Sequence, residues 1–117
     1  NDNAKAVYRG LVRVNPKAVK CEGYQKNDTI LLSESAEADA VPNLEIENND
    51  VKCSHGATIS QIDEAKLFYM MSRGIDEKSA KKQIVEGFFD PILAKFENDE
   101  LNQNIKNNIS KRLGAIV

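Results

Sequence analysis

Val51-Lys52-Cys53-Ser54-His55-Gly56-Ala57-Thr58 (VKCSHGAT) is the stretch on which the organisation of this chain turns. An extended, β-branched pattern ends at His55, the only histidine, and a helical pattern begins a few residues later. The same short stretch carries a thiol, a hydroxyl and an imidazole in three successive residues. We therefore expect strands before it, helices after it, and any chemical site at the junction itself.

The first half of the chain predicts short strands separated by turns. Val12 and Val14 alternate with polar neighbours, as in a half-buried strand. The predicted strands lie at residues 7–14, 18–24, 29–32, 44–46 and 51–53, and the turn signals are Asn15-Pro16, Asn27-Asp28 and Asn48-Asn49-Asp50. Sandwiches, barrels and β-solenoids all show such spacing. Small residues at positions 36, 38 and 40 favour tight solenoid turns over a thick sandwich core.

The second half predicts helices, which gives an α+β class with a strand half at 1–59 and a helical half at 60–117. Ser60 is the expected N-cap of the first helix and Gly74 its left-handed end. Asp76 caps a second helix, and Asp90-Pro91 restarts the chain with proline at a first helical position. A last helix opens at Asn98-Asp99 and carries an apolar seam that is either packed or left for a partner, at Leu101, Ile105, Ile109 and Leu113.

Composition limits the partners. The 117 residues carry a formal charge of -2, which gives no electrostatic footprint for nucleic acid or an anionic membrane. No apolar run reaches the roughly 18 residues of a membrane span, and the polar start does not resemble a signal peptide, so we expect a cytoplasmic protein.

The chain opens on Asn1 and not on methionine, so we expect a piece of a longer protein.

Candidate ligands are few. Cys53 and His55, two residues apart on an extended chain, would point to the same side, and thiolate and imidazole suit iron, iron–sulfur clusters and zinc. Two ligands are fewer than the four of a closed structural site. Cys21 and Cys53 are better explained as free interior thiols, whereas His55 is equally explained as a structural residue. Six acidic and no basic residues lie between positions 34 and 50, either as a solvated face or as an ion or partner site.

Catalytic motifs are missing from the sequence. It contains no glycine-rich phosphate loop, no nucleophile elbow and no zinc-protease histidine pair. We therefore expect a protein that is not an enzyme. The alternative is a stand-alone small domain that binds or handles a metal.

Several short motifs in order resemble the C-terminal part of the SufB/SufD family of iron–sulfur cluster assembly proteins. They are Pro42-Asn43-Leu44-Glu45-Ile46, the VKCSHGAT stretch, Asp63-Glu64 with Leu67-Phe68-Tyr69, Ser72-Arg73-Gly74-Ile75, and Gly87-Phe88. The resemblance implies the terminal rungs of a right-handed parallel β-helix followed by a small helical domain. It also implies a scaffold that pairs through its last strands and docks the ATPase subunit SufC through its helical tail, with a cluster bound only transiently on the full complex.

The resemblance also implies roles for single residues of this chain. His55 falls on the family histidine at the SufB–SufD interface that is implicated in cluster formation, and Cys53 beside it completes the candidate assembly site. Asn27 falls where many SufB chains carry a proposed cysteine ligand, so this chain lacks that thiol. The helices at residues 62–89 would present the SufC-docking surface, with Phe68, Arg73, Ile84 and Phe88 as candidates.

Truncation has a predicted consequence. A β-helix cut from its earlier rungs exposes strand edges, and exposed edges invite pairing with another chain. We therefore expect either a SufB- or SufD-type partner or a homodimer formed through the strand half.

Overall fold

The computed structural model describes residues 3–114 and divides the chain into two compact units, Asn1–Gln61 and Ile62–Val117. The first unit contains four strands: β1 (Lys5–Val14), β2 (Cys21–Leu31), β3 (Glu37–Ile46) and β4 (Val51–Gln61). The second contains three helices: α1 (Glu64–Ser72), α2 (Glu77–Leu93) and α3 (Asp99–Gly114). None of the helices in residues 3–114 has the length and apolar character needed to cross a membrane.

Successive strands of the β unit alternate between two sheets. β1 pairs in parallel with β3, with Lys5 opposite Glu37, and β2 pairs in parallel with β4, with Cys21 opposite Val51. The chain therefore passes through both sheets once as β1 and β2, which we call the first layer. It then repeats the same course as β3 and β4, the second layer.

Two glycines of the β unit lie where a larger side chain would meet a neighbour, Gly10 between the two sheets and Gly23 within the sheet of β2 and β4. Val14 is the only hydrophobic residue of the described β unit that is fully buried, at 6% exposure. A Cβ atom on Gly10 would overlap the side-chain amide of Gln25, and one on Gly23 would lie 3.2 Å from Sγ of Cys53. Ala36, Ala38 and Ala40, on which the expectation of tight solenoid turns rested, are half-buried.

Three of the six acidic residues between positions 34 and 50 pair with basic residues of β1. Lys5 Nζ lies 2.6 Å from a carboxylate oxygen of Glu37. The Arg13 guanidinium lies 2.7 Å from Glu47 and 3.8 Å from Glu45. For these three carboxylates, the neighbouring strand β1 thus supplies the opposite charge.

The predicted turn at Asn27-Asp28 is wrong, because β2 runs through it without a break. Asp28 accepts a hydrogen bond of 2.6 Å from the hydroxyl of Thr58 on β4, and Asn27 accepts one of 3.1 Å from Thr29. Side-chain partners on and beside the strand thus take up the polar groups that would otherwise favour a turn.

The predicted end of the last strand at His55 is also wrong, since β4 continues to Gln61. Ser60 lies inside β4 and its hydroxyl is 3.5 Å from the carbonyl oxygen of Thr29. The N-cap of α1 is Asp63, whose carboxylate accepts from the backbone N–H of Lys66 at 3.1 Å. The longer strand extends the pairing with β2 along its whole length.

Three of the predicted helix boundaries are confirmed. Gly74 has a φ of 89° and follows the end of α1, a left-handed conformation that glycine adopts without steric cost. Asp76 caps α2 by accepting from the N–H of Ser79 at 3.0 Å, and Asn98 accepts from the N–H of Leu101 at 2.9 Å before α3.

The predicted restart at Asp90-Pro91 is wrong, because Pro91 lies within α2. Val85 and Leu93, on either side of it, are both buried, so packing of both segments holds the helix together across the missing hydrogen bond. The other buried residues of the described helical unit are Leu67, Ala80 and Leu113. The seam on α3 is buried at Leu113 and exposed at Leu101, so only part of it packs.

Candidate functional site

The register of β2 and β4 brings the sequence-predicted positions onto one strip of the sheet. His55 lies opposite Gln25. Asn27 lies opposite Ala57, two residues later on each strand. Cys53 lies opposite Gly23, two residues before His55 and Gln25 on their strands. Because two residues along a strand span roughly 7 Å, these positions are near neighbours although Asn27 and His55 are far apart in sequence.

His55 is exposed to solvent. Among residues 3–114 no group lies within hydrogen-bonding or ion-pairing distance of its imidazole. An exposed imidazole keeps both ring nitrogens available to an incoming ligand. The structural role that the sequence left open for His55 therefore has no hydrogen bond or ion pair to support it in this part of the chain.

Cys53 differs from His55 in its surroundings. Both cysteines are free and half-buried. The Cys53 thiol packs over Gly23, and the residue lines a cavity of 560 Å³ together with Glu22, Gly23, Tyr24, Val51, Lys52 and Ser54. Cys21 lies with Sγ 3.7 Å from the carbonyl oxygen of Ala18, a weak hydrogen bond within a turn. Cys53 thus borders a cavity that a ligand arriving at the strip could enter.

Gln25 and Tyr8 are neighbours of this strip that the sequence did not indicate. The Gln25 amide donates a hydrogen bond of 3.1 Å to the Tyr8 hydroxyl, which links the two sheets. The amide oxygen of Gln25 is buried without a hydrogen-bond partner among the described residues. Only the pairing of β2 with β4 places Gln25 beside His55, so no local pattern in the sequence could have identified it.

A charged pair lies on the face of β2 opposite to the strip, because Lys26 and Asp28 alternate with Gln25 and Asn27 along the strand. Lys26 Nζ lies 2.5 Å from Asp28, whose other carboxylate oxygen accepts from Thr58. The hydrogen bond from Lys26, with that from Thr58, lowers the pKa of Asp28, and the same Lys26–Asp28 bond raises the pKa of Lys26. Both groups therefore stay charged at neutral pH and form an ion pair with each other.

A closed metal site is not assembled by the part of the chain that the structure describes. No three side chains of His, Cys, Asp or Glu within residues 3–114 come together in a way that could hold a metal ion. His55 and Cys53 supply at most two ligands from one strand. Further ligands for a metal or cluster at this strip would have to come from another chain or another segment.

The residues predicted to dock a partner fall into two classes of exposure. Phe68 on α1 is 74% exposed, and Tyr69 next to it is 57% exposed. The Arg73 guanidinium lies 5.3 Å from the centre of the Tyr69 ring, a cation–π contact. These three residues form an exposed aromatic and cationic surface at the end of α1.

Ile84 and Phe88 on α2 are half-buried instead. The Phe88 ring packs edge-to-face against Phe89, with ring centres 5.5 Å apart. Since part of each side chain already packs within the helical unit, these two residues offer less surface to a partner than Phe68.

A scan against protein families matches residues 1–88 to the model described as SUF system FeS cluster assembly, SufBD core domain. The matched region includes the whole strip on β2 and β4, together with α1 and most of α2.

Similarity to individual proteins indicates the same family. The chain is 38% identical over 113 residues to the iron–sulfur cluster assembly protein SufD of Escherichia coli (strain K12), covering 97% of this chain and 27% of that protein. It is 38% identical over 109 residues to the chloroplastic protein ABCI7 of Arabidopsis thaliana, covering 93% and 23%. An iron–sulfur cluster assembly SufBD family protein of Staphylococcus saprophyticus is 34% identical over 116 residues, covering 97% and 25%. The chain thus spans about a quarter of the length of these relatives.

Proposed function

Because this chain belongs to the SufB/SufD family of the SUF iron–sulfur cluster assembly system, we propose that it is a non-enzymatic scaffold segment on which clusters are assembled. The observation that carries this function is the family match over residues 1–88, which contains the entire strip with His55 and Cys53. The cluster is the cargo of the scaffold, not a resident cofactor. The two free thiols suit a reducing compartment, and we place the protein in the cytoplasm.

The β unit, in this proposal, is the end of a longer right-handed parallel β-helix. Two layers with parallel strand pairs in continuous register support it, since each layer could be repeated by adding one more. The relatives are about four times as long as this chain, which leaves room for further layers.

Pairing with a SufB- or SufD-type chain, or with a second copy, would use the free edges of β3 and β4. Each of these strands is hydrogen-bonded to one neighbour only among the described residues, so its other edge can accept a further strand. A partner strand on β4 would come directly beside His55 and Cys53. Such a partner could then contribute the ligands that this chain lacks.

Docking of the ATPase SufC is assigned to the helical unit. The exposed surface of Phe68, Tyr69 and Arg73 supports this assignment, because exposed aromatic and arginine side chains are the residue types that dominate protein interfaces. Ile84 and Phe88 would contribute from α2 with the part of each side chain that stays accessible.

Anaerobic cluster reconstitution tests the proposed function. The chain, its His55→Ala variant and a Ser60→Ala control on the same strand are each mixed with iron, sulfide and the native SUF partners. We expect the cluster absorbance of the wild type to be lost with His55→Ala and kept with Ser60→Ala, because only the first removes an exposed ligand. Equal absorbance from all three chains would exclude His55 from the assembly site.

A further inference from the structure

Charge is segregated by strand in the sheet formed by β1 and β3. β1 contains three basic residues and no acidic one, and β3 contains three acidic residues and no basic one. All six are exposed and alternate with the inward-facing residues of their strands, and they are Lys5, Arg9, Arg13, Glu37, Asp39 and Glu45. The sheet therefore presents a basic row beside an acidic row on one face.

The contact between β1 and β3 shows that the acidic row accepts a basic row as its neighbour. Lys5 lies 2.6 Å from Glu37, and Arg13 lies 3.8 Å from Glu45. Asp39 is opposite Val7, and no cation of the described chain lies within 4 Å of its carboxylate. One side of the acidic row is thus matched by β1, while Asp39 remains available to a strand on the other side.

β4, at the same end of the unit, does not share this character. Lys52 is its only charged residue apart from the titratable His55, and Lys52 faces Glu22 of β2 at 3.8 Å. The acidic row therefore belongs to the free edge of β3 alone and distinguishes it from the free edge of β4.

From this segregation we propose that the free edge of β3 is matched to a partner strand whose outward row is basic, as that of β1 is, and that it disfavours a second copy of itself. The inference rests on the proposed function in one respect, namely that a partner adds a strand at this edge. Its new content is the charge of that partner strand.

A pairing of β3 with β3 of a second copy would bring two acidic rows together, and their like charges would destabilise the pair. If the two strands run antiparallel and are centred on Val41, Glu37 lies opposite Glu45 of the other copy, and Asp39 lies opposite Asn43. Like charges directly opposite each other destabilise a strand pair, whereas opposite charges stabilise it. A basic row at the partner's equivalent positions would turn each of these contacts into an attractive one.

A charge-swapped copy of the same chain tests the proposal. The Asp39→Lys/Asn43→Lys variant places lysines opposite Asn43 and Asp39 of the unmodified chain and leaves the pairs of Lys5 and Arg13 intact. The Glu34→Lys/Asn49→Lys variant is the matched control, because it changes the net charge equally at exposed turn positions outside the row. Differently tagged chains are mixed in all combinations, and capture of one by the other is measured at about 0.05 M and about 0.5 M salt.

The expected result is that the unmodified chain captures the row variant about two- to fivefold more tightly than it captures a second unmodified copy at low salt, because the variant adds one opposite-charge pair, at Asp39. This preference should shrink at high salt, and the control should behave like the unmodified chain. Equal capture of the row variant and the control would overturn the charge match while leaving strand pairing in place. Absence of capture in every combination at both salt concentrations would overturn the pairing, and the charge match with it.

Discussion

Gly10 and Gly87 differ in whether the surrounding structure leaves room for a side chain. At Gly10 a Cβ atom would overlap the Gln25 amide and lie 2.5 Å from the Tyr8 hydroxyl, so the glycine makes room for the hydrogen bond that links the two sheets. At Gly87, inside α2, no described atom outside the neighbouring residues and the nearby backbone of α2 lies within 4 Å of a Cβ position. The glycine at position 87 therefore serves no packing purpose within this part of the structure.

Substituting alanine at these two positions should change stability in opposite directions. Gly10→Ala should lower the free energy of unfolding by about 0.5–1.5 kcal/mol, because the Gln25 amide must move and lose its bond to Tyr8. Gly87→Ala should raise it by about 0.5–1 kcal/mol, because alanine has the higher helix propensity. Denaturant titrations of the two variants and the wild type measure both effects. A stabilised Gly10→Ala chain would show that Gln25 and Tyr8 do not hold the sheets together.

Among the elements, α2 shows most clearly that a local hydrogen bond can set where a helix starts while burial sets how far it continues. Its start is set locally, by the Asp76 carboxylate that accepts from Ser79. Its continuation through Pro91 is set by the burial of Val85 and Leu93 on both sides. A helix of this kind depends on its cap at one end and on tertiary contacts at the other.

The cap at Asp76 should make the stability of α2 depend on pH. Hydrogen bonds from the side chain and the backbone N–H of Ser79 lower the pKa of Asp76 below its ordinary value of 3.8. A carboxyl group whose pKa is lowered by folding stabilises the fold above its unfolded-state pKa, and this contribution is lost as the pH falls through the folded-state pKa. Asp76→Ala should therefore melt at a lower temperature than the wild type at about pH 7, with the difference shrinking toward about pH 2.

Glu100→Ala provides the control for this measurement. Glu100 is an exposed acidic residue in the first turn of α3, but Asn98 is the residue that accepts the capping hydrogen bond there. Thermal unfolding followed by circular dichroism at both pH values should show little change for this variant. A difference between Asp76→Ala and wild type that is the same at both pH values would argue against an ionised cap.

At the scale of the whole molecule, the chain divides into a β unit that carries the candidate assembly strip and a helical unit that carries the candidate docking surface. The strip includes His55 and Cys53, and the docking surface includes Phe68 and Arg73. Assigning the two roles to separate units means that each can be removed by a substitution that leaves the other unit intact.

Capture by SufC tests this separation. Phe68→Ser should reduce capture on the order of tenfold, because it removes a 74% exposed aromatic side chain from the proposed interface. Leu101→Ser, at a 42% exposed apolar position on α3, is the matched control and should leave capture unchanged. Cluster reconstitution should be unaffected by either variant when the partners are supplied in excess. Undiminished capture of Phe68→Ser would remove the docking role from the end of α1.

The sequence by itself determined the features that depend on neighbours along the chain. The caps at Asp76 and Asn98 and the left-handed end at Gly74 follow from short-range hydrogen bonding and backbone sterics. Family membership was likewise evident from short motifs within the first 88 residues.

Only the tertiary structure decided the features that depend on residues far apart in sequence. The continuation of β2 through Asn27-Asp28 and of β4 past His55 results from strand pairing, in which Thr58 of β4 donates a hydrogen bond to Asp28. The continuation of α2 through Pro91 results from burial on both sides of the proline. The same pairing placed Gln25 beside His55 and the basic row of β1 beside the acidic row of β3. The physical reason is that parallel strand pairing joins residues about thirty positions apart, and no local pattern in the sequence specifies which of them will meet.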